Sequence, residues 1–119
     1  MFFYMEFTIY HNPRCRKSRE ALEYLEEKGT EYHKVKYLED LFDKKTLGDV
    51  LKKIKLKPSE IVRKNETLWK KEYASRFLTE DQILKILVKH PRLIERPIIT
   101  RSDKGVLARP LENLIDFLK

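Results

Sequence analysis

The sequence predicts an α/β fold in which a βαβ unit and a ββα unit flank a helical middle segment, with residues 1–119 forming one domain. Three observations predict it. Within about 30 residues, a segment of β-branched and aromatic residues is followed by an amphipathic segment and then by a segment in which apolar and polar residues alternate. This is the length of a βαβ unit. Residues 44–90 carry apolar side chains at helical spacing. Two short apolar segments around a glycine-containing turn, followed by an amphipathic segment, end the chain.

The βαβ unit is predicted from residues 6–38. Residues 6–10, E-F-T-I-Y, are aromatic and β-branched and stop at an Asn-Pro turn, which indicates a strand. Residues 16–28 have helical spacing, and Gly29 is placed where a C-capping glycine belongs. Residues 32–38 alternate as a second strand. A strand, a helix and a strand in this order form a βαβ unit, which implies a parallel pair of strands with a right-handed crossover.

The helical middle segment, residues 44–90, contains three predicted pieces. The first carries an apolar stripe of four residues, Leu47, Val50, Leu51 and Ile54. Pro58 begins a short second helix. Thr79 and Gln82 form a capping box before a third helix, which ends before Pro91.

The ββα unit is predicted from residues 97–118. Residues 97–100 and 106–109 flank a turn at residues 103–105, which includes Gly105, and so indicate a hairpin. Pro110 opens a last helix. Together with the βαβ unit this gives a mixed sheet of about four strands flanked by helices.

The composition is that of a globular protein with a highly charged surface. The chain is 41% hydrophobic and 38% charged, which excludes disorder, collagen-like repeats and a disulfide scaffold. No apolar run approaches the roughly 20 residues of a membrane span, and the N-terminal residues lack a signal-peptide pattern, with either Met1 or Met5 as the natural start. A single cysteine indicates a reducing compartment, so we expect a cytoplasmic protein.

The net charge of +7 allows nucleic acid or small anions as partners. The charge is dispersed, however, and the chain has neither a stacking-aromatic motif nor a recognition-helix pattern. The sequence therefore argues against a nucleic-acid-binding protein, and it predicts no metal site.

The strongest chemical signal is the segment H-N-P-R-C-R-K-S-R at residues 11–19. It places Cys15 between a strand and a helix N-terminus, whose free N–H groups favour a thiolate and any oxyanion beside it. Four cations surround the cysteine: Arg14, Arg16, Lys17 and Arg19. A lone cysteine is otherwise a small buried apolar residue. In this setting thiol pKa values fall to roughly 3.5–7.5, so we expect a reactive thiolate.

Two neighbours of Cys15 have alternative roles. Ser18 occupies the fourth position of the C-x-x-C spacing, so the chain has no internal resolving thiol and needs an external one. Its hydroxyl could donate to the sulfur or cap the helix backbone. His11 could be an imidazolium that favours the thiolate or a neutral ring that orders the loop.

Arginines elsewhere in the chain are candidates for binding an anion. Guanidinium groups bind tetrahedral oxyanions bidentately, and Arg63, Arg96 and Arg109 are the distant candidates. A cis bond before Pro97 would project Arg96 toward a neighbouring loop. Each of these arginines taken alone is typical of a surface residue, and their spacing does not show that they converge. Arg14 and Arg16 are further candidate ligands beside the cysteine.

The order of four segments resembles that of a known family. T-I-Y-H-N-P-R-C-R-K-S-R, R-K-N-E, R-P-I-I and A-R-P, spread over residues 7–117, are similar to the glutaredoxin-dependent arsenate reductase (ArsC) family. The resemblance implies a thioredoxin-like fold with a helical insertion. It also implies that the cysteine attacks arsenate, that glutathione and glutaredoxin resolve the adduct, and that arsenite is released. No bound cofactor is implied, because glutathione and glutaredoxin act as external reductants.

The resemblance also implies roles for individual residues. Cys15 matches the nucleophile, and His11 and Ser18 match loop residues near the thiol. The three distant arginines, Arg63, Arg96 and Arg109, fall on the oxyanion-binding arginines, and Pro97 falls on the cis-proline. The cations at positions 14, 16 and 17 replace the small residues that are frequent in the family, which implies a more cationic pocket for arsenate or a similar oxyanion.

Two other functions compete with arsenate reduction. One is a glutathione-dependent thiol oxidoreductase with a different substrate. The other is an Spx-like regulator that binds RNA polymerase, since such regulators resemble the chain in C-R-K and R-P-I-I. Ser18 removes the C-x-x-C switch that those regulators use, and Arg109 followed by Pro110 resembles the reductases instead.

Overall fold

A computed structural model describes residues 7–119 and builds them around a four-stranded mixed sheet. The strands are β1 (Phe7–Tyr10), β2 (Tyr32–Val35), β3 (Ile98–Arg101) and β4 (Lys104–Leu107), in the order β2-β1-β3-β4. β1 pairs parallel with β2 and antiparallel with β3, which pairs antiparallel with β4. The predicted mixed α/β architecture is confirmed. Glu6, the first residue of the predicted first strand, lies outside the described residues, as do both candidate start methionines.

The helices are α1 (Arg16–Glu27), α2 (Lys44–Ile54), α3 (Thr67–Glu72), α4 (Glu80–Lys89) and α5 (Leu111–Phe117). The capping box predicted at α4 is present, with Gln82 N–H donating to Thr79 Oγ1 over 3.1 Å. The short helix predicted to begin at Pro58 is a 3-10 helix, Pro58–Ile61. α3 lies within the segment predicted to be helical, but it was not predicted as a separate helix.

The sheet separates two apolar cores, because neighbouring side chains of a strand point to opposite faces. On one face, Ile99 packs with β1, α1 and α5 in a cluster that includes Ile9, Leu25 and Leu114. On the other face, Ile98 packs with the helical insertion. Both faces of the central strands are therefore covered, and the catalytic candidates must be placed at the ends of the strands.

An isolated antiparallel bridge joins two segments that are distant in sequence. Val62 pairs with Ile94, and the two flanking backbone hydrogen bonds, Arg63 N–H to Leu93 O and Glu95 N–H to Ile61 O, are both 2.7 Å long. The bridge fixes the backbone of Arg63 alongside the segment that leads to β3. This connection was not predicted.

The β3–β4 hairpin turns earlier than predicted. Its turn residues are Ser102 and Asp103, with Ser102 in the left-handed region at φ 57°. Gly105 is not in the turn but in β4, opposite Thr100. A Cβ on Gly105 would lie 2.9 Å from both Ile99 O and Ile54 Cγ2, so this glycine permits α2 to approach the hairpin closely.

We therefore expect Gly105→Ala to lower the free energy of unfolding by about 1–3 kcal/mol, because the new methyl group overpacks the interface of sheet and helix. Gly48→Ala is the matched control. A Cβ at this position in α2 would meet only Leu84 Cδ2, at 4.0 Å, so its higher helix propensity should raise stability by about 0.5–1 kcal/mol. Urea unfolding measures both variants, and equal effects would contradict the overpacking.

Candidate active site

Cys15 is the N-cap residue of α1, at the end of the loop that leaves β1. Asn12 shapes this loop: its carbonyl oxygen accepts from Cys15 N–H and its side-chain oxygen from Arg14 N–H, each over 3.0 Å. The sulfur makes no capping hydrogen bond, and the first turn of α1 has no acidic residue. The cysteine therefore meets the positive end of the helix without a competing carboxylate.

The surroundings of the sulfur lower the pKa of Cys15. Burial raises it, since the side chain is almost enclosed, but the Arg96 guanidinium and the amides of Ser18 and Lys17 together outweigh the burial. These groups stabilise the thiolate more than the loss of solvent destabilises it. The predicted activation of the thiol is thus present, although the cation responsible comes from β3's leading segment and not from the basic loop.

We expect the rate at which iodoacetamide alkylates Cys15 to rise with pH. The midpoint of this rise should lie at a lower pH in the folded protein than in the urea-unfolded chain. The folded protein favours the thiolate, so the reactive form is reached at lower pH and the rate levels off above the lowered pKa. The urea-unfolded chain is the internal control. A native midpoint at or above the unfolded one would contradict the assignment.

His11 and Ser18 form a buried hydrogen-bonded unit behind the loop. His11 Nδ1 lies 2.9 Å from Ser18 Oγ, which also accepts from Asn12 N–H over 3.0 Å. The hydroxyl therefore serves the loop, and it is the amide of Ser18 that acts on the sulfur. Burial, followed by the charges of Lys34 and Lys36, lowers the pKa of His11, which favours its neutral, loop-ordering role.

Of the three distant arginines, Arg96 is the one at the thiol, Arg109 contacts the backbone of Arg96, and Arg63 lies near Tyr37. Arg96 lies beside the sulfur, and its buried Nε has no hydrogen-bond partner among residues 7–119. Arg109 Nη1 donates to the backbone oxygen of Arg96 over 3.3 Å, and its Nε lies 3.4 Å from Glu95. Arg63 pairs with Glu66 at 2.9 Å. The peptide bonds Arg96–Pro97 and Arg109–Pro110 are both cis.

Two further candidate ligands, Arg14 and Arg16, are not brought to the thiol. Both are exposed. The side chain of Arg16 is 85% exposed, and its Nε lies 3.4 Å from Glu20 Oε1. A helix N-terminus directs successive side chains around its axis, so residues next to the cysteine in sequence point away from it. Their contribution to the site is limited to its general positive field.

Tyr37 belongs to this group of residues and was missed from the sequence. Its side chain is 1% exposed, and its hydroxyl has no hydrogen-bond partner within the described part of the chain. Burial raises the pKa of Tyr37 to about 12, with the charges of Arg96, Cys15 and Arg63 acting on it as well. Nothing in the alternating pattern of residues 32–38 distinguished it from an ordinary strand aromatic.

Neither a metal centre nor a membrane span accompanies this site in residues 7–119. No group of three or more histidine, cysteine, aspartate or glutamate side chains there could hold a metal ion. The helices of the same region are too short or too polar to cross a bilayer. The arrangement consists of a cysteine thiol of lowered pKa, guanidinium groups and a buried hydroxyl, which suits an attack on an oxyanion.

Comparison with known proteins identifies close relatives. The model of the ArsC family matches residues 10–117. An arsenate reductase of Neisseria meningitidis serogroup B is 40% identical over 111 residues, covering 92% of this chain and 95% of the relative. The uncharacterised protein YfgD of Escherichia coli K12 is 40% identical over 112 residues, covering 92% and 94% of the two chains. The solved arsenate reductase of Vibrio cholerae has a TM-score of 0.88 at 33% identity, covering 94% and 97%. This likeness confirms the predicted fold.

Proposed function

Because the chain belongs to the ArsC family, we propose that it is an arsenate reductase that uses glutathione and glutaredoxin as external reductants. The observation that supports this best is the Arg96 guanidinium, which is half-buried beside a thiol of lowered pKa and whose Nε has no partner within residues 7–119. A fixed cation next to a nucleophile favours an anionic electrophile. Relatives called arsenate reductase match nearly the whole chain.

Binding of the oxyanion is assigned to Arg96 together with Arg63 and Arg109. The latter two use only some of their five N–H donors on Glu66, Glu95 and backbone oxygens, so further donors are free to bind an anion. The amides at the start of α1 add donors on the sulfur side. His11 and Ser18 hold the loop that carries the thiol.

The chemical step begins with attack by the Cys15 thiolate on arsenic(V). A sulfur–arsenic bond forms, and one arsenate oxygen leaves as water after protonation. Because the chain has a single cysteine, an outside thiol must attack the adduct. One glutathione thiol displaces a second arsenate oxygen as water, and a glutaredoxin thiol then attacks that glutathione sulfur, so that the sulfur–arsenic bond breaks and its electron pair converts arsenic(V) to arsenic(III). Water cleaves the remaining bond between Cys15 and arsenic, which releases arsenite and restores the thiol, and a second glutathione reduces the glutaredoxin–glutathione disulfide to glutathione disulfide. Such a reaction requires a reducing compartment, so the cytoplasm stays the expected location.

The test measures arsenate-dependent NADPH oxidation in the presence of glutathione, glutaredoxin and glutathione reductase. We expect turnover with the complete mixture and its loss when glutaredoxin is omitted. Turnover with thioredoxin and thioredoxin reductase in place of the glutathione system would overturn the proposed reductant but not the reductase. Absence of arsenate-dependent turnover with both systems would overturn the reductase and favour a thiol oxidoreductase with another substrate.

A further inference from the structure

We propose that Tyr37 is a further ligand of the oxyanion, with its phenolic hydroxyl donating a hydrogen bond to an oxygen of the tetrahedral anion held at Cys15 and Arg96. The inference rests on the proposed function in so far as that function requires an oxyanion at this site. It extends the site from guanidinium and amide donors to a neutral hydroxyl.

The first support is the burial of Tyr37. The residue follows β2, and its ring packs in the apolar cluster beneath the helical insertion, with its centroid 6.1 Å from that of Phe42. This packing fixes the ring, so the hydroxyl cannot turn to solvent. Buried hydroxyls are nearly always hydrogen-bonded, because leaving one unpaired is unfavourable. Yet the hydroxyl of Tyr37 has no partner at hydrogen-bond geometry among residues 7–119, although the Arg96 guanidinium lies close enough to lower its pKa.

The second support is what surrounds the hydroxyl. The charges that act on it belong to Arg96, Cys15 and Arg63, so the phenol lies near the thiol and two of the arginines. Arg96 Nε is the other buried side-chain donor without a partner in the described residues. Two unpaired donors beside one nucleophile, together with cations, suit an acceptor that carries several anionic oxygens.

The protonation state of Tyr37 fits this role. Burial raises its pKa to about 12, and the negative charge of Cys15 acts in the same direction, against the opposing charges of Arg96 and Arg63. At neutral pH the phenol is therefore neutral and keeps its proton. A neutral hydroxyl can donate to an anion, whereas a phenolate would repel it.

A different role would be hydrogen bonding to the sulfur itself. The groups that most lower the pKa of Cys15 are Arg96 and the amides of Ser18 and Lys17, and Tyr37 is not among them. The two roles can be separated, because a donor to the sulfur changes the thiol's ionisation with no anion present. A donor to the oxyanion changes only the binding of that anion.

The experiment compares wild type with Tyr37→Phe, which keeps the ring and its packing. Sulfate and arsenate are titrated as protectants of Cys15 against iodoacetamide, and the pH profile of alkylation is recorded without either anion. Tyr32→Phe is the matched control, since it also removes one phenolic hydroxyl, which donates to Glu26 over 2.7 Å at the exposed start of β2. Thermal unfolding of each variant verifies that it is folded.

We expect Tyr37→Phe to weaken protection by both anions about 10- to 100-fold, the usual value of a hydrogen bond to a charged group, with an unchanged alkylation pH profile. Tyr32→Phe should behave as wild type. If Tyr37→Phe is protected by the same anion concentrations as wild type, the inference is overturned. If, in addition, the pH profile of its alkylation shifts upward, the hydroxyl of Tyr37 donates to the sulfur instead.

The outcome is independent of arsenate reduction, because protection needs no reductant. If wild type reduces no arsenate but the anions protect it and Tyr37→Phe weakens that protection, the proposed function fails and the inference holds. If wild type turns over arsenate and the variant is protected equally well, the inference alone fails. Absence of protection in wild type would overturn the inference together with the anion site.

Discussion

Replacing Cys15 by serine is expected to reduce arsenate-dependent turnover to the rate measured without the protein. The reason is that a serine hydroxyl stays protonated near neutral pH, and the Arg96 guanidinium and helix amides that stabilise a thiolate cannot ionise an alcohol. No second thiol can replace it, since the chain has one cysteine. The coupled oxidation of NADPH measures the loss.

Two controls separate loss of the nucleophile from loss of the site. Serine has the same shape as cysteine and differs by one smaller atom, so the thermal unfolding of Cys15→Ser should remain close to that of wild type. Its affinity for sulfate, measured by isothermal titration calorimetry, should also persist, because the arginines and amides are intact. Turnover within tenfold of wild type would show that another group attacks the substrate, and loss of sulfate binding would show that the substitution disrupts the site.

The elements with local signals could be predicted from the sequence. Periodicity or capping chemistry within a few residues was enough to predict three of them: the strand in residues 32–38, the capping box at Thr79 and the apolar stripe of α2. The parallel β1–β2 pair followed from the handedness of the crossover. The predicted second strand nevertheless ran to Leu38, whereas β2 ends at Val35, where the chain turns and Tyr37 enters the core.

The elements that depend on tertiary contacts could not be predicted. α3 has only six residues and contributes one buried side chain, Trp69, so its periodicity is too short to detect. The Val62–Ile94 bridge joins segments that are distant in sequence. Gly105 looked like a turn residue, but its lack of a side chain serves the close approach of Ile54.

The candidate site divides in the same way. Cys15 and the helix start beside it are a local arrangement, and the sequence predicted the lowered pKa. The source of the cation was not predictable by proximity in sequence: Arg14 and Arg16 are adjacent but exposed, while Arg96 reaches the sulfur from the segment that precedes β3. Nor did the sequence predict that Arg63 pairs with Glu66 and Arg109 with Glu95.

These pairings predict that Arg96 matters most of the three arginines. We expect Arg96→Met to lower kcat/KM for arsenate about 100- to 1,000-fold, the usual effect of removing one preorganised donor to a developing anionic charge. Arg63 and Arg109 already have carboxylate partners, so Met at either position should cost less. Arg92→Met, which removes an exposed arginine on the neighbouring segment, is the matched control and should leave kcat/KM unchanged.

Part of the Arg96 effect acts through the thiol and part through the anion, and pH separates them. Without the guanidinium the pKa of Cys15 rises, so raising the pH restores the thiolate but not the lost hydrogen bonds to the substrate. We therefore expect activity of Arg96→Met to recover only partly with pH. Removing Arg96 relieves a buried Nε that has no partner among the described residues, but it also removes the stabilisation of the Cys15 thiolate, so the unfolding temperature of the variant should stay close to that of wild type. Full recovery at high pH would confine Arg96 to activating the cysteine, and a large fall in stability would make it a structural residue instead.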